Sequence, residues 1–353
     1  MHVALLANLK KNAPTWPDMP ADRWDDLDSE ETIEAIANAL RAGGHQVTFL
    51  EGDITLAQTL PRVQPDICFN ICEGHFGDAR EAQVPAILEM LRIPYTGSRV
   101  LTLALSLDKP MTKRVLAYHN LSTPAFQVFE RANEPLDPDM QFPLFVKPSR
   151  EGTGMGVSPD SIVRDEAQLR AQLRIQFERY DQPILVERFI EGRELTVGVV
   201  GNLTEPVAWR LPEDEEAPRV SRGLTFLPPM EIDLDRYETE AGVYTSRIKT
   251  ELVHEFYWLC PAPLDDASVE ELNWLTAATF RVTGCQDVAR VDFRLDVNDG
   301  NRPYILEINP LPGLNPEYSD LCIEARAAGW SYEELVNRIL DEALAREGLL
   351  AGA

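Results

Sequence analysis

The stretch that most constrains this chain is "VARVDFRLDVNDGNRPYILEIN", from Val288 to Asn309. Two apolar runs flank Asp299-Gly300, the strongest short-range signal for an antiparallel hairpin. Alternate residues of a strand share a face. Ile305, Glu307 and Asn309 are therefore expected to point one way, and Tyr304, Leu306 and Ile308 the other. With Asp299 and Gly300 as the two turn residues, positions summing to 599 oppose one another, so Asp292 faces Glu307 and Arg290 faces Asn309. Like charges directly across a ladder destabilise it, so this register needs a neutralising partner or a cation between the two. Two carboxylates and an amide suit a hard ion such as Mg²⁺, with water and phosphate oxygens completing its shell. A solvated strand end bridged to Arg290, Arg294 or Arg302 is the competing reading, and the hairpin alone leaves both open.

The rest of the chain alternates strand and helix. "HVALLANL", "QVTFLEG" and "PDICFNI" read as strands, and "DSEETIEAIANALRAGGH" as a helix with Asp28 at its N-cap and Gly43-Gly44 as its stop. Such an open α/β sheet presents ligands at the carboxyl ends of its strands. "NICEGHFGDAREAQ" is such an end, and it carries Glu73. The final run "SYEELVNRILDEALAREG" is amphipathic, with Leu335, Ile339 and Leu344 on one stripe. The 353 residues divide on this reading into 1–105, 106–200 and 201–353.

A net charge of −25, from 33 Lys+Arg against 58 Asp+Glu, disfavours a nucleic-acid or anionic-membrane surface. No apolar run approaches a membrane span, the N-terminus lacks the charge order of a signal peptide, and five scattered cysteines do not make a disulfide framework. A cytoplasmic location is expected.

Three further motifs carry chemistry. In "VKPSREGTGMGV", Lys147 ends an apolar strand, and Gly152, Gly154 and Gly156 alternate in a loop whose backbone amides could approach phosphate oxygens. A flexible hairpin tip would look the same. In "ILVERFIEGREL", backbone groups around Glu187, Arg188 and Phe189 could pair with a purine while Glu194 grips ribose hydroxyls; two surface glutamates on a hairpin are the alternative. "LALSLDKPMTKR" adds Lys109 near a helix start.

The order Lys109, Lys147 with its glycine loop, Glu187 to Glu194, Arg290-x-Asp292 and Glu307-x-Asn309 resembles the ATP-grasp superfamily. Within it, "IPYTGS", "VKPSREG", "CPAPL", "RVDFRL" and "LEINPLPG" resemble the D-alanine–D-alanine ligase family over nearly the whole chain. The resemblance implies an α/β (α+β ATP-grasp) fold of three domains, an N-terminal open sheet and two antiparallel-sheet domains clasping ATP. It implies Lys109 and Lys147 on the ATP phosphates, Glu187 at the adenine hinge, Glu194 on ribose, and Asp292, Glu307 and Asn309 on two Mg²⁺ ions. The implied reaction activates a carboxylate as an acyl phosphate, which an amine then attacks, with Arg290 and the Gly313 amide stabilising the oxyanion. Lys249 matches the lid lysine, Thr153 matches the loop serine, and a homodimer is the expected assembly.

The substrate loops depart from the pattern. The glycine-rich N-terminal loop that places a glutamate is missing, so Asp28, Glu30 or Glu31 would have to substitute. Glu73 stands where a histidine is common, and Thr250 where the lid has a tyrosine. The serine for the second substrate's carboxylate falls at Tyr318, between Glu317 and Ser319. The expectation is therefore an ATP- and Mg²⁺-dependent ligase of small carboxylate and amine substrates whose second substrate is not D-alanine. A D-alanine–D-alanine ligase, a phosphotransferase and a silent ATP-binding regulator are the alternatives.

Overall fold

A computed structural model describes residues 1–204, 221–234 and 257–350. Three sheets organise them. The first is parallel, in the order β2-β1-β3, with β1 His2–Ala7, β2 Gln46–Glu51 and β3 Ile67–Asn70. The second is antiparallel, in the order β4-β7-β5-β6, from β4 Phe126–Phe129, β5 Leu144–Pro148, β6 Ile162–Val163 and β7 Ile184–Arg188. The third is antiparallel and contains β8 Gly192–Gly201, β9 Leu224–Phe226, β10 Met230–Ile232, β11 Trp258–Leu259, β12 Val288–Asp296 and β13 Arg302–Asn309. No described helix is long and apolar enough to cross a membrane.

Several expectations need correcting. The two runs in "ILVERFIEGRELTVGVV" are not a hairpin: β7 belongs to the second sheet and β8 to the third, so Phe189–Glu191 is where the chain steps between them. The expected seam at residue 200 runs through β8, and the change of sheet lies about ten residues earlier. The helix Glu30–Ala42 is capped by Ser29, whose hydroxyl accepts from the Thr32 amide at 3.2 Å. Asp28 is thereby released from capping.

The hairpin is more instructive. Its turn is a five-residue loop, Val297 to Asn301, with Gly300 and Asn301 at positive φ, and Asp296 pairs with Arg302. The strands leave that turn one residue out of the expected register. A bulge at Leu306 then restores it, so that Asp292 opposes Glu307 and Arg290 opposes Asn309. The bulge also shifts the pleat. Ile305 and Ile308 both enter the core, while Leu306 and Glu307 both line a cleft, so Ile305 does not share Glu307's face.

The final helix, Tyr332–Arg346, packs on Glu30–Ala42 and on the first sheet. Leu335, Ile339 and Leu344 join Val3, Leu5, Ile36 and Phe69 in one core. Asn337 lies so close that a Cβ on Gly43 would fall 2.0 Å from its Oδ1, and its Nδ2 donates to the Ala39 carbonyl at 2.9 Å. The C-terminal segment thus completes the N-terminal layer.

Candidate active site

Two clefts meet between the sheets. The first, about 920 Å³, lies between the second and third sheets, with Phe145, Lys147, Glu187, Phe189 and Glu194 among its walls. The second, about 1600 Å³, opens toward the first sheet and the loop before Ser29. Lys109, Glu151, Glu307 and Asp320 line both, so the two clefts are one continuous site.

Glu187 is the electrostatic centre of the first cleft. It is 3% exposed, and its two oxygens sit 2.7 Å from Lys113 Nζ and 2.7 Å from Lys147 Nζ. Burial alone would raise its pKa, but the two ammonium groups outweigh that and hold the carboxyl below its ordinary range. Lys113 is fully buried, and burial lowers its pKa despite Glu187. Lys147 is raised, because Glu187 and Glu307 together overcome its desolvation. Lys113 also donates to the Thr123 hydroxyl at 2.8 Å, which donates onward to the Ile305 carbonyl at 2.9 Å.

The purine edge expected at Glu187–Phe189 is more restricted than its sequence suggests. The Glu187 carboxylate is taken by the lysines, and the Arg188 and Phe189 amides already donate to the Ala125 and Pro143 carbonyls. Carbonyls of this segment remain the groups that could meet an amino donor. Arg188 pairs with Asp296 at 2.9 Å. Phe189 stacks on Phe145 and carries the Arg294 guanidinium 4.9 Å above its ring. Arg294 in turn holds Glu194 at 2.9 Å, across the β8–β12 ladder where the two are direct partners.

At the junction of the clefts the opposed acids are paired within the protein. Asp292 accepts from Arg290 twice at 2.9 Å, from Thr196 Oγ1 at 2.8 Å and from Asn309 Nδ2 at 2.9 Å. Glu307 lies 3.2 Å from Lys109 Nζ, and Arg290 also reaches Asp320 at 3.1 Å. Among the described residues no three His, Cys, Asp or Glu side chains converge as a metal centre. Two carboxylates and an amide still fit Mg²⁺, an ion that keeps waters and phosphate oxygens and needs only one or two carboxylates from its protein.

The glycine loop divides in role. Gly152 and Thr153 line the second cleft and Gly154 the first. Gly156 lines neither. Its amide donates to Asp22 Oδ2 at 2.9 Å, and at φ +73° a Cβ there would fall 2.6 Å from Pro148 Cγ. The same Asp22 accepts from the Tyr180 hydroxyl at 2.9 Å. Arg23 and Arg80 both reach Glu151, at 2.7 and 3.3 Å, and Arg80 also holds Asp26 at 3.0 Å. The loop from Lys10 to Asp28 is thereby tied to the glycine loop by ion pairs.

Of the expected substrate residues, Asp28, Glu73, Tyr318, Ser319, Arg290 and Gly313 line the second cleft. Glu30, Glu31 and Glu317 do not: Glu30 pairs with Lys11 on the surface, and Glu31 and Glu317 are exposed. Lys249 and Thr250 lie outside the described residues. The sequence reading missed Lys113, Glu151, Thr196, Arg294 and Asp320. Lys113 had a usable signal, since it lies four residues after Lys109 on the same helix, Lys109–Tyr118.

The family model described as "D-ala D-ala ligase C-terminus" matches residues 115–213 and 228–341. A D-alanine–D-alanine ligase of Syntrophotalea carbinolica is 36% identical over 319 residues, covering 90% of this chain and 92% of that protein. The chain belongs to the D-alanine–D-alanine ligase family. An uncharacterized protein of Sinorhizobium fredii is 35% identical over 318 residues, covering 88% of this chain and 86% of its own. The D-alanine–D-alanine ligase of Bacillus anthracis, solved in complex with ATP, superposes with a TM-score of 0.69 at 23% identity over 99% of both chains, which shows the ATP-grasp fold. Family membership makes this chain a carbon–nitrogen ligase of the ATP-grasp type. The clefts accordingly lie where ATP-grasp sheets face each other.

Proposed function

We propose that this ligase couples ATP cleavage to joining a small carboxylate to an amine through an acyl phosphate, with a substrate pairing other than two D-alanines. The observation that carries the reading is the shared wall of the clefts, where Lys109, Glu307 and Asp320 face both the nucleotide side and the substrate side. A carboxylate bound in the second cleft would attack the γ-phosphorus of ATP, releasing ADP. The amine nitrogen would then attack the acyl carbon, expel phosphate and lose a proton to solvent.

The chain's residues have distinct parts in this. Lys109 and Lys147, now holding Glu307 and Glu187, would turn to the phosphates. Asp292, Glu307 and Asn309 would hold Mg²⁺, which supplies charge neutralisation on the phosphoryl oxygens. Arg290 and the Gly313 amide line the second cleft, where the tetrahedral oxyanion would form. Thr153 lines the second cleft, and Lys249 is the remaining residue of the expected set.

The names of the relatives favour a second reading, D-alanyl-D-alanine synthesis. Against it stand Tyr318 in place of a carboxylate-binding serine and the acidic lining around Glu73. The test is phosphate release from Mg·ATP with D- and L-amino acids and amines, singly and in pairs, with products weighed by mass spectrometry. Turnover of D-alanine alone to its dipeptide would overturn the substrate assignment. ADP formation that needs no amine would overturn the ligation itself.

A further inference from the structure

The second cleft is lined by eight carboxylate-bearing side chains against Lys10, Lys109 and Arg290. All three cations are occupied: Lys10 holds Asp25 at 2.8 Å, Lys109 holds Glu307 at 3.2 Å, and Arg290 is shared by Asp292 and Asp320. Asp26 and Glu151 are covered by Arg80 and Arg23. That leaves Asp28, Glu73 and Glu81, which among the described residues have no ion-pair partner within 4.0 Å. Glu81 is only 9% exposed, makes no side-chain hydrogen bond among the described residues, and lines the cleft. A buried carboxylate in that condition is costly unless something cationic arrives.

Asp28, Glu73 and Glu81 belong to the second cleft alone and lie outside the Asp292, Glu307 and Asn309 set that suits Mg²⁺. Their three carboxylates line one cleft and act on one another, so they offer more than one acceptor to the ammonium groups of a single molecule.

Resting on the ligase reading above, we propose that the second cleft takes a substrate with two ammonium groups, in its minimal form a diamino acid. One ammonium is the ordinary α-amino group; the second meets the Glu73–Glu81 side of the cleft. The electrostatics agree. Burial, then Asp26, push the Asp28 carboxyl up to about 7. Burial raises Glu81 to about 7 against the pull of Arg80, and burial with Glu81 raises Glu73 well above the carboxylate range. A dication would relieve all three.

The test compares lysine and ornithine with norleucine of the same hand by calorimetry, on the full chain with Mg²⁺ and a non-hydrolysable ATP analogue. Lysine or ornithine should bind at least tenfold tighter than norleucine. The isosteric Glu73→Gln and Glu81→Gln should each erase that preference, bringing lysine and ornithine down to the level of norleucine measured on the same variant. Equal binding of lysine and norleucine, or a preference untouched by both variants, overturns the proposal, as does loss of the preference on raising Mg²⁺ alone. ADP release from Mg·ATP with the same amino acids, in place of the analogue, separates the two claims. A retained preference with no ADP formed by any acid–amine pair would sink the ligase reading and support the dicationic cleft. ADP formation with neutral amino acids and none with diamino acids would do the reverse.

Discussion

Replacing Glu187 by glutamine keeps its shape and removes the only anion among the described residues in hydrogen-bond contact with Lys113. At an effective dielectric near 20, each 2.7 Å contact carries a gross attraction of roughly 6 kcal/mol. Desolvation of three buried charges consumes most of that, and truncating a buried pair costs about 3–5 kcal/mol net. Both lysines keep the field of Glu307, but burial already lowers Lys113 while Lys147 stays raised, so the loss falls mainly on Lys113 and the expected cost is about 3 kcal/mol. The pH dependence is the sharper readout. Without Glu187, Lys113 is left with the Thr123 hydroxyl and the more distant field of Glu307, and its folded pKa, already lowered by burial, falls further. Below the unfolded lysine value of about 10.4 and above that folded pKa, the unfolded chain binds more protons. Stability of Glu187→Gln should therefore rise with pH relative to the parent, from pH 6 to pH 9, in urea or thermal melts. Adding Lys113→Met should recover much of the loss and remove the pH slope. A deficit under about 1 kcal/mol, or one that is flat with pH, would refute the idea that Glu187 balances two buried ammonium groups.

Asp292→Asn and Glu307→Gln should each lower turnover by a hundredfold or more, on the order expected for lost phosphoryl-transfer electrostatics; full activity in either would remove them from the metal role. Arg294→Met frees Glu194 and the Phe189 face, and should raise the KM for ATP about tenfold with a smaller change in kcat. Gly156→Ala should cost about 1–3 kcal/mol in a thermal melt, because its Cβ would meet Pro148 at positive φ. Asp22→Ala should loosen the glycine loop, seen as faster limited proteolysis near residues 152–157; unchanged cleavage would mean the Asp22 contacts do not hold it.

Local patterning made much of the framework legible. Apolar runs located β1, β2, β3, β5, β12 and β13 but not the short strands β6, β9, β10 and β11, and the 3.6-residue stripe of Leu335, Ile339 and Leu344 located the closing helix. The opposition of Asp292 and Glu307 was legible for an incomplete reason: the loop is longer than two residues, and a bulge cancels the slip. Bulges depend on what a strand packs against, which one segment read alone does not contain. Long-range pairings were hidden for the same reason. Lys113 reads as one more helix lysine until Glu187 meets it across the fold, and Glu151 reads as loop polarity until Arg23 and Arg80 reach it. Ser29 took the cap from its neighbour Asp28 because both are good caps, and only the geometry of the first turn decides.

The packing of Tyr332–Arg346 on the first sheet bears on how this molecule is made. Val3, Leu5 and Phe69 emerge early from the ribosome with Ile33, Ile36 and Leu40, yet the core they share is finished by Leu335, Val336, Ile339 and Leu340. The oldest layer therefore waits for the youngest. During synthesis part of that apolar core stays open through most of elongation, and closing it spans some three hundred residues of chain. Truncation before Leu335 should yield a chain that aggregates, even though every strand of the first sheet is present.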